Sequence, residues 1–126
     1  MKKTILVVED FESIRNFVCN TLEKKGYEAI GAADGNEAFE LLTKRTNPVN
    51  LVLSDYNMPR CTGFELLQKI KANKATSGIP VMFLTTESDP AKMRAAKDAG
   101  LSAWVKKPYK ADLFFAQIEN IVSNGR

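Results

Sequence analysis

Short apolar runs alternate along this chain with stretches whose apolar residues recur at three- and four-residue intervals, the two spacings of strands and amphipathic helices. Thr4–Val8 predicts a first strand that stops at the acid pair Glu9-Asp10. Ile14, Phe17, Val18 and Leu22 then share one face of a helix, which Gly26 closes. Tyr27–Gly31 is predicted as the second strand. Asp34 with Glu37 three residues later has the form of a capping box, opening a helix with Ala38, Leu41 and Leu42 inward. Pro48 ends that region and Asn50–Ser54 is the third strand, its continuous Leu51-Val52-Leu53 run suiting a strand buried on both faces. Pro59 cannot continue a central strand, which leaves Asp55 at the carboxyl end.

After Gly63 a helix carries Leu66, Leu67 and Ile70. Pro80 introduces the fourth strand, Val81–Leu84, which stops at Thr85-Thr86-Glu87. Asp89-Pro90 pairs a capping side chain with a proline suited to the first helical turn. The helix it starts runs to Gly100 with a thin apolar face of Ala91, Ala95, Ala96 and Ala99. Ser102–Lys106 is the fifth strand, halted by Pro108, and the last helix carries Leu113, Phe114, Ile118, Ile121 and Val122. Strands that alternate with helices through short loops predict an α/β fold, a five-stranded parallel sheet doubly wound by helices on both faces. At 126 residues the expectation is a single domain spanning 1–126.

Composition narrows the chemistry. Hydrophobic residues at 44% and charged residues at 26% are those of an ordinary soluble globular protein. No apolar run approaches the roughly 20 residues of a membrane span. The run before Glu9 is too short for a signal-peptide core, so a cytoplasmic protein without membrane contact is expected. Cys19 and Cys61 offer neither a disulfide framework nor metal-site spacing, and Cys61 falls in a loop, where it would be exposed. The net charge of +3 comes from scattered pairs such as Lys24-Lys25 and Lys44-Arg45 rather than a basic stripe, which argues against nucleic acid as partner. The chain has no histidine, which removes His-based triads, His-ligated metals and a phosphohistidine carrier role.

What remains is carboxylate, hydroxyl and lysine, and these sit at strand ends: Glu9 and Asp10, Asp55, Thr85, and Lys106-Lys107. In a parallel sheet all these ends share one edge, where ligands of open α/β sheets bind. Taken alone, Asp55 serves equally well as a turn residue, Thr85 as a strand hydroxyl satisfied by backbone, and Lys107 as a surface lysine. Clustered carboxylates resist ionising together, and a divalent cation relieves the repulsion. Oxygen ligands without imidazole or thiolate favour Mg²⁺. A lysine beside them can pair with a phosphate oxygen, which would let a carboxylate attack a phosphoryl group.

Four anchors carry a resemblance over essentially the whole chain: Val7-Val8-Glu9-Asp10, Ser54-Asp55-Tyr56-Asn57-Met58-Pro59, Leu84-Thr85-Thr86-Glu87 and Lys106-Lys107-Pro108. In order and spacing the chain resembles the receiver domains of response regulators, and among them the stand-alone chemotaxis regulators, on the further strength of Asp10-Phe11 and of Asn57 with Glu87. The resemblance implies a flavodoxin-like fold with strand order 2-1-3-4-5. It implies that Asp55 is the phosphoacceptor, charged by a sensor histidine kinase, and that Mg²⁺ is held by Asp10, Asp55, the Asn57 backbone carbonyl and, through water, Glu9. Lys107 would pair with the phosphoryl oxygens through a cis Lys107-Pro108 junction, and Thr85 would turn its hydroxyl to them. Trp104, where the family more often has Tyr or Phe, would move inward behind Thr85 as the switch aromatic; the indole would otherwise simply pack the sheet edge. Asn57 and Glu87 would tune hydrolysis of the phosphoaspartate. The acid pair is Glu-Asp where the family more commonly has Asp-Asp.

The expected function is therefore a phosphorylation-driven signalling switch of a two-component system, in chemotaxis or as a relay or phosphate sink in another phosphorelay. A monomer is expected, and not an enzyme acting on external substrates. With no room for an output domain after Val122, it would act by binding a downstream target, unless it is a receiver excised from a longer regulator. The target would dock on the face of the fourth helix, fifth strand and fifth helix, where Lys92, Trp104 and Lys106 fall and an acidic or amphipathic helix would suit. Other classes fit less well. A flavin-type cofactor binder needs a glycine- and hydroxyl-rich loop where Glu9-Asp10-Phe11-Glu12 stands. An aspartyl phosphatase places nucleophile and acid two residues apart after the first strand, where this chain has Asp10 and Glu12. A receiver degenerated to docking alone would not keep Asp10, Asp55, Thr85 and Lys107 together.

Overall fold

Apolar residues at every second position along the strands divide the molecule into two packed layers around one sheet. The computed structural model describes residues 2–124. Its elements in order are β1 (Thr4–Val8), α1 (Glu12–Lys24), β2 (Glu28–Ala32), α2 (Gly35–Lys44), β3 (Leu51–Ser54), α3 (Gly63–Ala72), β4 (Val81–Thr85), α4 (Pro90–Asp98), β5 (Ala103–Lys106) and α5 (Ala111–Ser123). All strand pairs are parallel, in the order β2-β1-β3-β4-β5. Ile5, Val7, Leu51, Leu53, Met82 and Leu84 point to the side covered by α1 and α5. Leu6, Val8, Val52, Val81 and Phe83 point to the side covered by α2, α3 and α4. Because β1, β3 and β4 are covered on both faces, their residues are buried throughout.

The helix starts follow the local chemistry. Asp34 caps α2 by accepting from the Glu37 N–H at 2.9 Å, while the Glu37 carboxylate accepts from Ala33 N–H rather than from the cap residue itself. A complete capping box opens α3, with Thr62 and Glu65 satisfying each other's backbone N–H groups. The Thr-x-x-Glu spacing was there to be seen; Gly63 is the first residue inside that helix, not the residue before it. Asp89 caps α4 ahead of Pro90. Gly26, past the end of α1, adopts φ +98°, which a side chain would disfavour.

Several sequence expectations require correction. The strands β2, β3 and β5 each begin one residue later than predicted, and β2 includes Ala32. On α1 the buried residues are Val18 and Leu22, whereas Phe17 is 64% exposed and Ile14 lies at the margin. Phe17 precedes Val18 by a single position, roughly 100° around the helix, and one sheet face buries only a narrow stripe. The same geometry exposes Leu113 beside buried Phe114. On α4 only Ala96 of the four predicted alanines is buried. Cys61 is buried too, because its loop folds back onto the start of α2 and brings the side chain against Gly35. Among the described residues no helix is long and apolar enough to cross a membrane.

Candidate phosphoacceptor and metal site

Strand register builds the site. Val8 pairs with Ser54, and the ladder continues one step further as the Asp55 N–H donates to the Val8 carbonyl at 3.0 Å. Glu9 and Asp55 thereby leave the sheet side by side. On the other flank Thr85 pairs with Lys106, and the Lys107 N–H donates to the Thr85 carbonyl at 2.9 Å. Single carboxylate oxygens of Glu9, Asp10 and Asp55 lie within 4.8 Å of one another.

Each acid is held differently. Glu9 is buried; its Oε2 accepts from the Phe11 N–H at 3.1 Å, and the Lys107 ammonium stands 3.9 Å from its Oε1. Lys107 thus faces Glu9. Asp55 Oδ1 accepts from the Tyr56 N–H at 2.7 Å. Asp10 Oδ1 is buried with no hydrogen-bond partner among the described residues. A buried carboxylate oxygen left without a partner is costly, and a cation among the three acids would satisfy it. The all-oxygen donor set fits Mg²⁺.

The electrostatics agree. Burial, with Asp10 and Asp55 adding to it, pushes the Glu9 carboxyl up to about 7, against the opposing pull of Phe11 N–H and Lys107. A carboxyl that holds its proton more tightly folded than unfolded stabilises the fold fully below its ordinary value of 4.5 and loses that contribution as pH rises through about 7. No histidine competes in that window. The melting temperature in EDTA should therefore fall between pH 5 and pH 8, and Glu9→Gln should flatten the fall. A wild-type profile flat over this range would show that Glu9 carries no such strain.

Of the other predicted residues, Thr85 is fully buried and its Oγ1 accepts from the Glu87 N–H at 3.2 Å. Asn57 is exposed, and its Nδ2 donates to Glu87 Oε1 at 3.4 Å. Trp104 packs inward at 5.4 Å from the rings of both Tyr56 and Phe83, and its Nε1–H donates to the Glu87 carbonyl at 3.1 Å. The Lys107-Pro108 bond is cis. Sequence reasoning missed Lys92 as a partner of this edge: its ammonium lies 3.2 Å from Glu87 Oε1 and holds that carboxyl below the usual range. Glu87 precedes α4, so no helical spacing links the two residues. Arg60 was also missed. It bonds the Asp34 carboxylate at 2.8 Å and ties the loop after Asp55 to the start of α2. Asp34 was recognised only as a cap.

Comparison with known proteins agrees with this architecture. The chain is 33% identical over 122 residues to a chemotaxis protein CheY homolog of Campylobacter jejuni, covering 96% of this chain and 93% of that protein. It is 31% identical to chemotaxis protein CheY1 of Helicobacter pylori over 94% of this chain and 95% of the other. The structure of chemotaxis protein CheY4 of Vibrio cholerae superposes with a TM-score of 0.87 at 33% identity, over 96% of this chain and 99% of that one. Residues 5–119 match the family described as the response regulator receiver domain, and with five parallel strands in the order found here the chain belongs to that family.

Proposed function

We propose that the chain is a phosphorylation-driven switch in which Asp55 takes a phosphoryl group from the phosphohistidine of a sensor kinase. The observation that carries this reading is the convergence of Glu9, Asp10 and Asp55 within 4.8 Å on an edge that also presents Thr85 and Lys107. An oxygen of the Asp55 carboxylate bonds to phosphorus as the P–N bond breaks, and the departing imidazole keeps that electron pair. Oδ1 accepts from the Tyr56 N–H, which supports Oδ2 as the attacking oxygen. Lys107 moves its ammonium from Glu9 to the phosphoryl oxygens. Thr85 already accepts one hydrogen bond and has its own proton to donate to the phosphate. Asp10, Asp55 and the Asn57 carbonyl would hold the metal, and Glu9 would support it through water. Bound there, Mg²⁺ would neutralise the carboxylates and the equatorial phosphoryl oxygens.

The chain promotes its own phosphorylation and turns over no external substrate. The added charge beside Lys107 and Thr85 acts on Trp104, which is tied to the β4–α4 connection through the Glu87 carbonyl. A downstream protein docks on the α4–β5–α5 face, where a groove of about 550 Å³ beside Trp104 is lined by Met93, Arg94, Lys97 and Leu101. The chemotaxis proteins of similar sequence favour that pathway. The test is incubation with acetyl phosphate: one phosphoryl group per chain by intact mass in Mg²⁺, and none in EDTA. Equal labelling in EDTA would overturn the metal's role, and no labelling in either would overturn the function.

A further inference from the structure

Glu87 is bound from several directions at once. Its Oε2 accepts from the Ser88 and Asp89 N–H groups at 3.2 Å each. Its Oε1 accepts from Lys92 Nζ at 3.2 Å and from Asn57 Nδ2 at 3.4 Å. Its backbone joins Thr85 Oγ1 and Trp104 Nε1. Lys92 reaches Glu87 from α4 by crossing the ring of Tyr56, its ammonium 5.4 Å from the ring centre. Tyr56 in turn directly follows Asp55. The side chains of Lys92, Glu87 and Asn57 therefore form a strap from α4, across the β4–α4 connection, to the loop that leaves Asp55. The Asn57 end is anchored on the loop that leaves the phosphoacceptor, two residues after Asp55. The cation supplies what the Asn57 amide alone lacks, a charge that fixes the Glu87 carboxylate in place.

We infer that Lys92 is a positioning residue that sets the lifetime of the phosphorylated state by holding Glu87 against Asn57. The inference rests on Asp55 being the phosphoacceptor. Decay is attack of a water oxygen on phosphorus. The bond from phosphorus to the Asp55 oxygen breaks, the carboxylate keeps the electron pair, and the water's protons pass to inorganic phosphate and solvent. A closed strap narrows the approach of that water. Removing Lys92 frees the Glu87 carboxylate from its cation and loosens the bridge to Asn57.

The experiment charges the protein with acetyl phosphate and Mg²⁺, removes the donor by gel filtration and follows release of inorganic phosphate. Lys92→Ala should decay about threefold to fivefold faster than wild type. Lys92→Arg, which keeps the cation, should decay at the wild-type rate. In a Glu87→Ala background, Lys92→Ala should add nothing, because the group it positions is gone. The melting temperature and the Mg²⁺ affinity of Lys92→Ala should stay at wild-type values, which a merely structural role would not predict. Wild-type decay in Lys92→Ala, or an equal acceleration in the Glu87→Ala background, overturns the inference while leaving Asp55 its role. Wild-type protein that takes up no phosphoryl group overturns both.

Discussion

Asp55→Asn should abolish labelling by acetyl phosphate while leaving a folded protein that is more stable than wild type in EDTA. The loss follows from chemistry, since an amide oxygen is a poor nucleophile and the site has no other carboxylate at the end of β3. The gain follows from charge. Three acids share this pocket, and one of them, Glu9, is buried with its carboxyl pushed up to about 7. Taking away one negative charge relieves that repulsion, while the Asn oxygen can still accept from the Tyr56 N–H as Asp55 Oδ1 does. At the water-like dielectric of this partly exposed edge the relief is about 1 kcal/mol, roughly 4 °C in melting temperature for a domain of this size. Circular dichroism and intact mass on the same sample check both halves. Undiminished labelling of the variant would place the phosphoacceptor elsewhere.

Gly63→Ala should damage both stability and labelling, although Gly63 carries no chemistry. A Cβ at this first residue of α3 would run into the Asp55 carbonyl oxygen and come within 3.0 Å of Tyr56 Cα. These are backbone atoms, fixed by the Gly63 N–H bond to the Tyr56 carbonyl at 2.8 Å, so no side-chain rotation makes room. Forcing an added methyl into such a contact costs about 2–3 kcal/mol, a fall of roughly 10 °C in melting temperature. Relaxation would push the Asp55–Tyr56 backbone outward, and labelling should slow with it. Thermal melts and the rate of mass gain in acetyl phosphate test the two effects. An unchanged melting temperature would mean that this backbone yields without cost, against the close approach seen here.

The two predictions differ in how visible their residues were beforehand. Asp55 announces itself through an apolar strand run on one side and a proline on the other. Gly63 looks like an ordinary residue near a helix start, because its contact partner lies eight positions back and on a different element. Lys107 shows the same divide. Its place at a strand end was legible, but its pairing with Glu9 depends on two strands that are not neighbours in the sheet.

Taken by itself, the sequence determined the order and type of every element, the two-sided burial of β3, and the gathering of acids, hydroxyl and lysine at strand ends. Those features depend on local periodicity and on proline and glycine punctuation, which act within a few residues. Tertiary structure alone decided that Phe17 and Leu113 face outward, that Cys61 is buried, that Asp10 Oδ1 lacks a partner among the described residues, and that Lys92 and Asn57 meet on Glu87. These outcomes are settled by which surfaces press together and how far each side chain reaches across them, and no spacing along the chain encodes such distances.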